Sequence, residues 1–408
     1  MNRILLIRGG IHMEFAYQTL HKKNCESIII DNPASKQIMM GDYQYIISDI
    51  RNIDEMVEQA IKIHDKKGYN GIVTFATSGI IPLGILSDYF KLDYFTERAA
   101  RILSNKLKVR ECLRELNADE TKFCKVSSME EMEKASTYLH YPFVLKPSDN
   151  ASGRGVNIVR QKEELQTAFE FSMNASFNKD LIAEQLIEGD EYCVEILVYH
   201  AEVYVLSISK KLVTTNKFCI ELMDITPAPI SNEIEEIIKT YMCETIGKFE
   251  IHNLLIHVEF KLNKDNKPII IEINPRAAGG KLIESIYYLK GVNVFDLLYD
   301  MALKKDIQIK DVMNKLRKPK ELFSLFYSFI TPMDSGVIKK IKGLPEIRTK
   351  ILYDYERLNL ENIEGDFLKE PKTNGEFRGS MYLFDKSPEI LLDRAKEIES
   401  LLNYELEK

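Results

Sequence analysis

Through the first hundred residues, short apolar runs alternate with helix-length amphipathic stretches. Arg3 to Arg8 reads as a strand, Gly9-Gly10 as a turn and about Met13 to Lys22 as a helix. Further strands are expected at Ser27 to Ile30, Tyr45 to Ile47 and Ile72 to Phe75. That rhythm predicts an open, mostly parallel α/β domain of Rossmann-like character over residues 1–95. Thr96 and Ser104 stand at N-cap positions before two helices, and Leu107, Leu113 and Leu116 support the second. Short strands around a Gly-containing loop predict a small lid subdomain at about 119–187 within a central unit, 96–300. The remainder of that unit is first strand-rich and then helical. Residues 301–408 mix strands and glycines and end in a charged helix from about Pro388 to Leu402. The expected fold class is therefore a multidomain mixture of α/β and α+β.

Composition narrows the function. A chain of 408 residues, 45% hydrophobic and 29% charged, is too long for one core but ordinary for a globular protein. The formal charge of -7 comes from intermixed acids and bases with no basic stripe, which argues against a nucleic-acid partner. Six scattered cysteines without a C-x-x-C pair fit reduced thiols in a cytoplasmic protein. The apolar run Ile4 to Ile7 is shorter than a signal-peptide core, and no segment is long enough to span a bilayer, so no membrane partner is expected. Gly9-Gly10 lacks the rest of G-x-G-x-x-G; it reads as a plain tight turn or as a close approach to a ligand.

The richest stretch runs from His257 to Arg276. Two alternating runs flank a polar segment, which predicts a β-hairpin. With Asp265-Asn266 at the turn centre, Glu259 faces Glu272 and His257 faces Asn274. Period-two alternation then puts these four on one face and Val258, Phe260, Ile271 and Ile273 on the other. Opposed carboxylates repel unless a cation lies between them. Magnesium takes one or two carboxylates together with substrate phosphates, so Glu259, Glu272 and Asn274 are candidate metal ligands. The alternative is a solvated hairpin face, against which the adjoining Asn274-Pro275-Arg276 weighs.

Two further stretches carry chemistry. Tyr141 to Pro147 and Gly155 to Val159 are apolar strands joined by a Ser-, Asn- and Gly-rich loop, Ser148 to Arg154, suited to offering backbone N–H groups to phosphate. Lys146 ends the first strand, where a buried ammonium needs an anion. From Leu181 to Glu195 apolar residues alternate with acids, and Glu184 and Glu191 can accept hydrogen bonds from an amine and from sugar hydroxyls. Lys210-Lys211 and the later Glu221 are candidates to border a ligand pocket, although adjacent lysines on a strand more often face solvent.

Taken together and in this order, these stretches resemble the ATP-grasp superfamily over nearly the whole chain. The resemblance implies an N-terminal α/β domain, a lid subdomain and a larger C-terminal part, with ATP clamped between the last two. It implies that Lys106 and Lys146 meet ATP phosphates, as does the loop containing Ser152, Gly153 and Gly155. The pattern E-x-x-I-x-G-x-E appears as Glu184 to Glu191, implying adenine recognition by Glu184 and the backbone of Gln185 and Ile187, with Glu191 on the ribose. Glu259, Glu272 and Asn274 match the metal positions, for two magnesium ions or manganese in their place.

Glu272 to Arg276 followed by Gly279-Gly280 is similar to the carboxylate-amine ligases, including the L-amino-acid ligases, as are Gly336-Val337-Ile338 and Gly343-Leu344. The expected reaction is ADP-forming amide or peptide synthesis through an acyl phosphate, with small carboxylate and amine substrates, an amino acid among them. Arg276 is the expected catalytic side chain, with Arg154 from the lid loop as a second. His257 is placed as a carboxylate-bound neighbour of the nucleotide site or as a base for the amine. A carboxylase or carbamoyl-phosphate-type enzyme is the alternative, and a homodimer is the default assembly.

Overall fold

Arg3–Ile7 has the sequence RILLI, and Ile4, Leu5, Leu6 and Ile7 are all fully buried. A strand covered on both faces belongs inside a parallel sheet. It lies there between Glu26–Asp31 and Gly71–Val73, with Gln44–Ile47 at the edge and every neighbour parallel. The computed structural model describes all residues except 1, 10–12, 33–43, 50, 215, 217, 280, 320, 375 and 408. Gly10 and Gly280, singled out above, thus lie outside the described residues.

Thr96 caps the helix Glu97–Leu103, accepting from the Ala99 N–H at 3.1 Å. Ser104 does not start the next helix: it closes the first one, and Asn105 caps Lys106–Glu115 by accepting from the Lys108 N–H at 3.1 Å. Both residue types cap well, so local sequence did not separate them. The one-residue shift makes Lys106 the first residue of the helix.

The lid is a four-stranded antiparallel sheet in the order Phe123–Val126, Leu181–Gln185, Phe143–Pro147, Asn157–Val159. Its helices Met129–Leu139 and Leu165–Ala175 pack over it, giving a separate core around Met132, Phe143, Leu145 and Leu165. The main sheet has eight strands, in the order Pro268–Asn274, Leu254–Leu262, Asp190–Tyr199, Glu202–Val213, Glu221–Thr226, Phe323–Phe329, Gly379–Asp385, Arg357–Leu360. It takes strands from both sides of residue 300, so the last hundred residues extend the sheet that carries the hairpin. The terminal helix Pro388–Leu401 packs on that extension, and the chain then forms a strand, Asn403–Glu407, that the charge pattern had hidden.

The hairpin pairs Glu259 with Glu272 and His257 with Asn274. Nearer the turn the register slips by one residue, so that Phe260 pairs with Ile270 and Leu262 with Pro268. This bulge corrects one expectation: Ile270, not Ile271, joins Phe260 in the core, and Ile271 turns towards the cleft. Strict alternation cannot register the extra residue of a bulge. All six cysteines are free thiols, and among the described residues no helix is long and apolar enough to cross a membrane.

Candidate active site

A cleft of about 1340 Å³ opens between the lid, the hairpin face and the C-terminal extension, and the candidate nucleotide, metal and catalytic residues above all line it except Gly155. Gly155 lies beneath the lid loop. Its φ is +79°, and a Cβ there would come within 2.7 Å of both Ala175 Cβ and Pro147 Cγ, so the loop needs glycine to pack this closely. Ser152 and Gly153 are also left-handed, at +60° and +69°, which folds Ser148 to Arg154 back over the cleft. Asn150 ties the loop down, donating to the Ala175 carbonyl at 2.6 Å and accepting from Arg154 Nε at 3.0 Å.

Lys146 follows from its strand. Phe143 and Leu145 fill the lid core, so Lys146 points the other way and remains buried against Glu184 on the adjacent strand. The second Glu184 oxygen lies 3.0 Å from Arg110, whose guanidinium also binds Asp119 and donates to the Ile270 carbonyl at 3.0 Å. Burial alone would raise the Glu184 carboxyl, but Lys146 and Arg110 override it and hold it below the usual range. Both Glu184 oxygens are thus committed to cations. Arg110 and Asp119 went unread in the sequence, because nothing local marks a helix arginine that pairs with residue 184.

Along the hinge, Gln185 N–H donates to the Lys122 carbonyl at 2.9 Å, and the Ile187 carbonyl accepts from Lys261 at 3.2 Å. Glu191 lies 3.8 Å from Lys261, and burial pushes its carboxyl up. Gly189 sits at φ +118°, and a Cβ there would fall 1.9 Å from the Leu262 carbonyl oxygen. Gly189→Ala is expected to cost at least about 1 kcal/mol of stability, seen as a lower thermal midpoint. An unchanged midpoint contradicts this close approach.

On the hairpin face, Lys106 Nζ lies 3.0 Å from Glu272 and also donates to the Asn150 carbonyl, joining lid loop and hairpin. Lys211 is buried, 3.0 Å from Glu259 and 2.9 Å from Glu221, while Lys210 points outward to Asp190 at 2.7 Å. The adjacent lysines therefore split: one faces solvent, as their pairing suggested, and the other enters the site. Burial opposes the Lys211 charge, yet Glu221 and Glu259 raise its pKa well above the ordinary value. Lys211→Met is expected to lower turnover about 10²- to 10³-fold by removing a fixed cation from beside the candidate metal ligand Glu259. Turnover near that of the unmodified protein contradicts this role.

His257 is buried between Glu195, 2.6 Å from Nδ1, and Glu259, 3.2 Å from Nε2. Burial would lower its pKa, but the two carboxylates push it up to about 9. An imidazolium at neutral pH holds Glu259 in place and is poorly disposed to take a proton from an amine. Arg276 lies two residues after Asn274 and reaches across to the N-terminal domain, donating from Nε to Thr77 Oγ1 at 3.1 Å and from its terminal nitrogen to the Ala277 carbonyl at 2.7 Å.

A lid with a phosphate-type glycine loop, clamped over a sheet that carries paired carboxylates, defines the ATP-grasp fold. Residues 139–285 match the ATP-grasp domain family, and the chain carries that domain. It is 25% identical over 281 residues to alanine–anticapsin ligase of Bacillus subtilis (strain 168), a match spanning 63% of this chain and 59% of that protein. It is 22% identical over 381 residues to an L-arginine-specific L-amino acid ligase of Bacillus subtilis, covering 89% of this chain and 84% of that protein. The crystal structure of an L-amino acid ligase from Bacillus licheniformis superposes with a TM-score of 0.84 at 21% identity, over 100% of this chain and 99% of that one.

Proposed function

We propose that this chain is an ADP-forming carboxylate-amine ligase that makes an amide or peptide bond through an acyl phosphate, with an amino acid as one substrate. The observation that carries the reading is the Glu259–Glu272 pair, cross-strand neighbours on one cleft face with Lys106 and Lys211 beside them. Among the described residues no group of three or more His, Cys, Asp or Glu side chains forms a cation cage. Two carboxylates and the Asn274 amide nonetheless fit magnesium, which completes its shell with phosphate and water oxygens. Glu259, Glu272 and Asn274 would hold it, two ions being the expected number, and bound magnesium neutralises the phosphate oxygens.

In the first step a carboxylate oxygen attacks the γ-phosphorus and the bond to the ADP oxygen breaks, leaving an acyl phosphate. Every partner in this step is anionic, so fixed positive charge lowers the barrier. Lys106, Lys146 and Lys211 supply it, and Arg276 presents a planar guanidinium to the substrate carboxylate. Arg154, in the loop above, reaches the transferred phosphoryl group when the lid closes and excludes water. In the second step the amine nitrogen attacks the acyl carbon, the bond to phosphate breaks, and the nitrogen gives up its proton to the departing phosphate or to water.

Hydroxylamine tests the intermediate. With ATP, magnesium and a carboxylate but no amine, a hydroxamate of that carboxylate is expected together with ADP. ADP formed only with bicarbonate contradicts this reading and favours the carboxylase alternative.

A further inference from the structure

Beyond Arg276 the cleft continues towards the edge of the main sheet, where it is lined by Arg357, Asn359 and Ser380. Arg357–Leu360 is the edge strand, pairing Arg357 with Tyr382 and Asn359 with Ser380. Alternation puts Leu358 into the core beneath and leaves Arg357 and Asn359 on the cleft side.

The cations at this end differ in how they are neutralised. Lys281 lies 2.7 Å from Glu284 and 3.9 Å from Glu14, so two carboxylates balance it. Arg378 is buried and spends its donors on the carbonyls of Pro332, Lys369 and Glu376. Arg357 has no carboxylate within salt-bridge distance among the described residues. One terminal nitrogen donates to the carbonyls of Asp354 and Glu356, Glu284 is felt only at longer range, and the rest of the guanidinium has no hydrogen-bond partner among the described residues.

The backbone that carries this exposed guanidinium is also held in place. Glu356, buried directly before it, accepts from the N–H groups of Leu352 at 2.6 Å and Phe384 at 2.8 Å and pairs with Arg394 at 3.1 Å. The turn that carries Arg357 is therefore anchored to both the neighbouring strand and the terminal helix. A fork of free N–H donors, fixed at the wall of a cleft, is suited to a carboxylate.

We infer that Arg357, with Asn359 beside it, seats the free carboxylate of the amine-side substrate, making that substrate an amino acid rather than a simple amine. The inference rests on the ligase reading. One carboxylate is consumed at Arg276, and the acceptor's own carboxylate, which takes no part in bond formation, needs a second cation. Arg357 is a specificity residue in this scheme and touches no reacting atom.

The test follows ADP release by the full chain with ATP, magnesium and a saturating acid partner. The acceptor is the amino acid that reacts best in a pairwise panel of common amino acids, compared with its own carboxamide. The unmodified protein is expected to prefer the free carboxylate. Arg357→Ala is expected to raise the KM for the amino acid about 10- to 100-fold, from the loss of one charge-assisted contact, while KM for the carboxamide and for ATP stay unchanged. Arg357→Lys is expected to restore part of the preference.

If the unmodified protein uses the carboxamide equally well, or if Arg357→Ala affects both acceptors alike, the inference is overturned while the ligase reading stands. If the unmodified protein releases no ADP with any pair, the ligase reading falls and the inference with it.

Discussion

Glu272→Gln is expected to reduce ATP-dependent turnover by more than about 10³-fold while leaving the fold intact. The substitution keeps the shape and a carbonyl oxygen but removes one of two opposed charges. In the absence of metal that change is mild for the protein: Glu272 lies on the cleft wall, its single ion pair to Lys106 is 3.0 Å long, and its side chain keeps 21% of its exposure. With magnesium and phosphate bound the balance would shift, since Glu259 would be left as the one carboxylate of the pair to hold the cation. A thermal midpoint near that of the unmodified protein, together with lost turnover, is the expected pair of readings. Near-normal turnover would remove the metal assignment.

Arg110→Met carries the largest expected effect on stability. Arg110 is 3% exposed and its guanidinium serves Glu184, Asp119 and the Ile270 carbonyl at once, joining the lid, the helix Lys106–Glu115 and the hairpin. Methionine fills most of the volume but leaves Asp119 without its cation and Glu184 with Lys146 alone. Breaking a buried pair from one side costs about 3–5 kcal/mol, because the remaining charge stays out of water. A lower unfolding midpoint is expected, and so is weaker ATP binding, since Lys146 must then neutralise Glu184 unaided. A double substitution, Arg110→Met with Asp119→Leu, is expected to recover part of the stability. A single variant as stable as the parent would show that the network contributes little.

These two residues mark what was legible before the structure. Glu272 was readable because a hairpin has a fixed period: once the turn is located, facing residues follow by counting, and the opposed acids declare themselves. The bulge that brings Ile270 into the core left the 259–272 and 257–274 pairings in place. Strands and helices of the N-terminal domain were legible for the same reason, as buried runs of Ile, Leu and Val bounded by polar turns. Arg110 was not legible, since its partners at 119, 184 and 270 meet only when three elements pack. Lys211 was named together with Lys210 but not separated from it, because two adjacent strand lysines give no sign of which faces inward, and Arg357 lies in a stretch that shows no motif. The continuation of the hairpin's sheet into residues 323–385 is likewise a matter of long-range pairing, which spacing along the chain does not encode.

In the proposed reaction, ATP cleavage drives the joining of a carboxylate to an amine. Simultaneous measurement of ADP and amide product, over pairs of amino acids with magnesium and ATP, tests it most directly. ADP and amide are expected in equal amounts, both dependent on the acid and the amine together. ADP formed without amide product, or a requirement for bicarbonate in place of the amino-acid carboxylate, would contradict it.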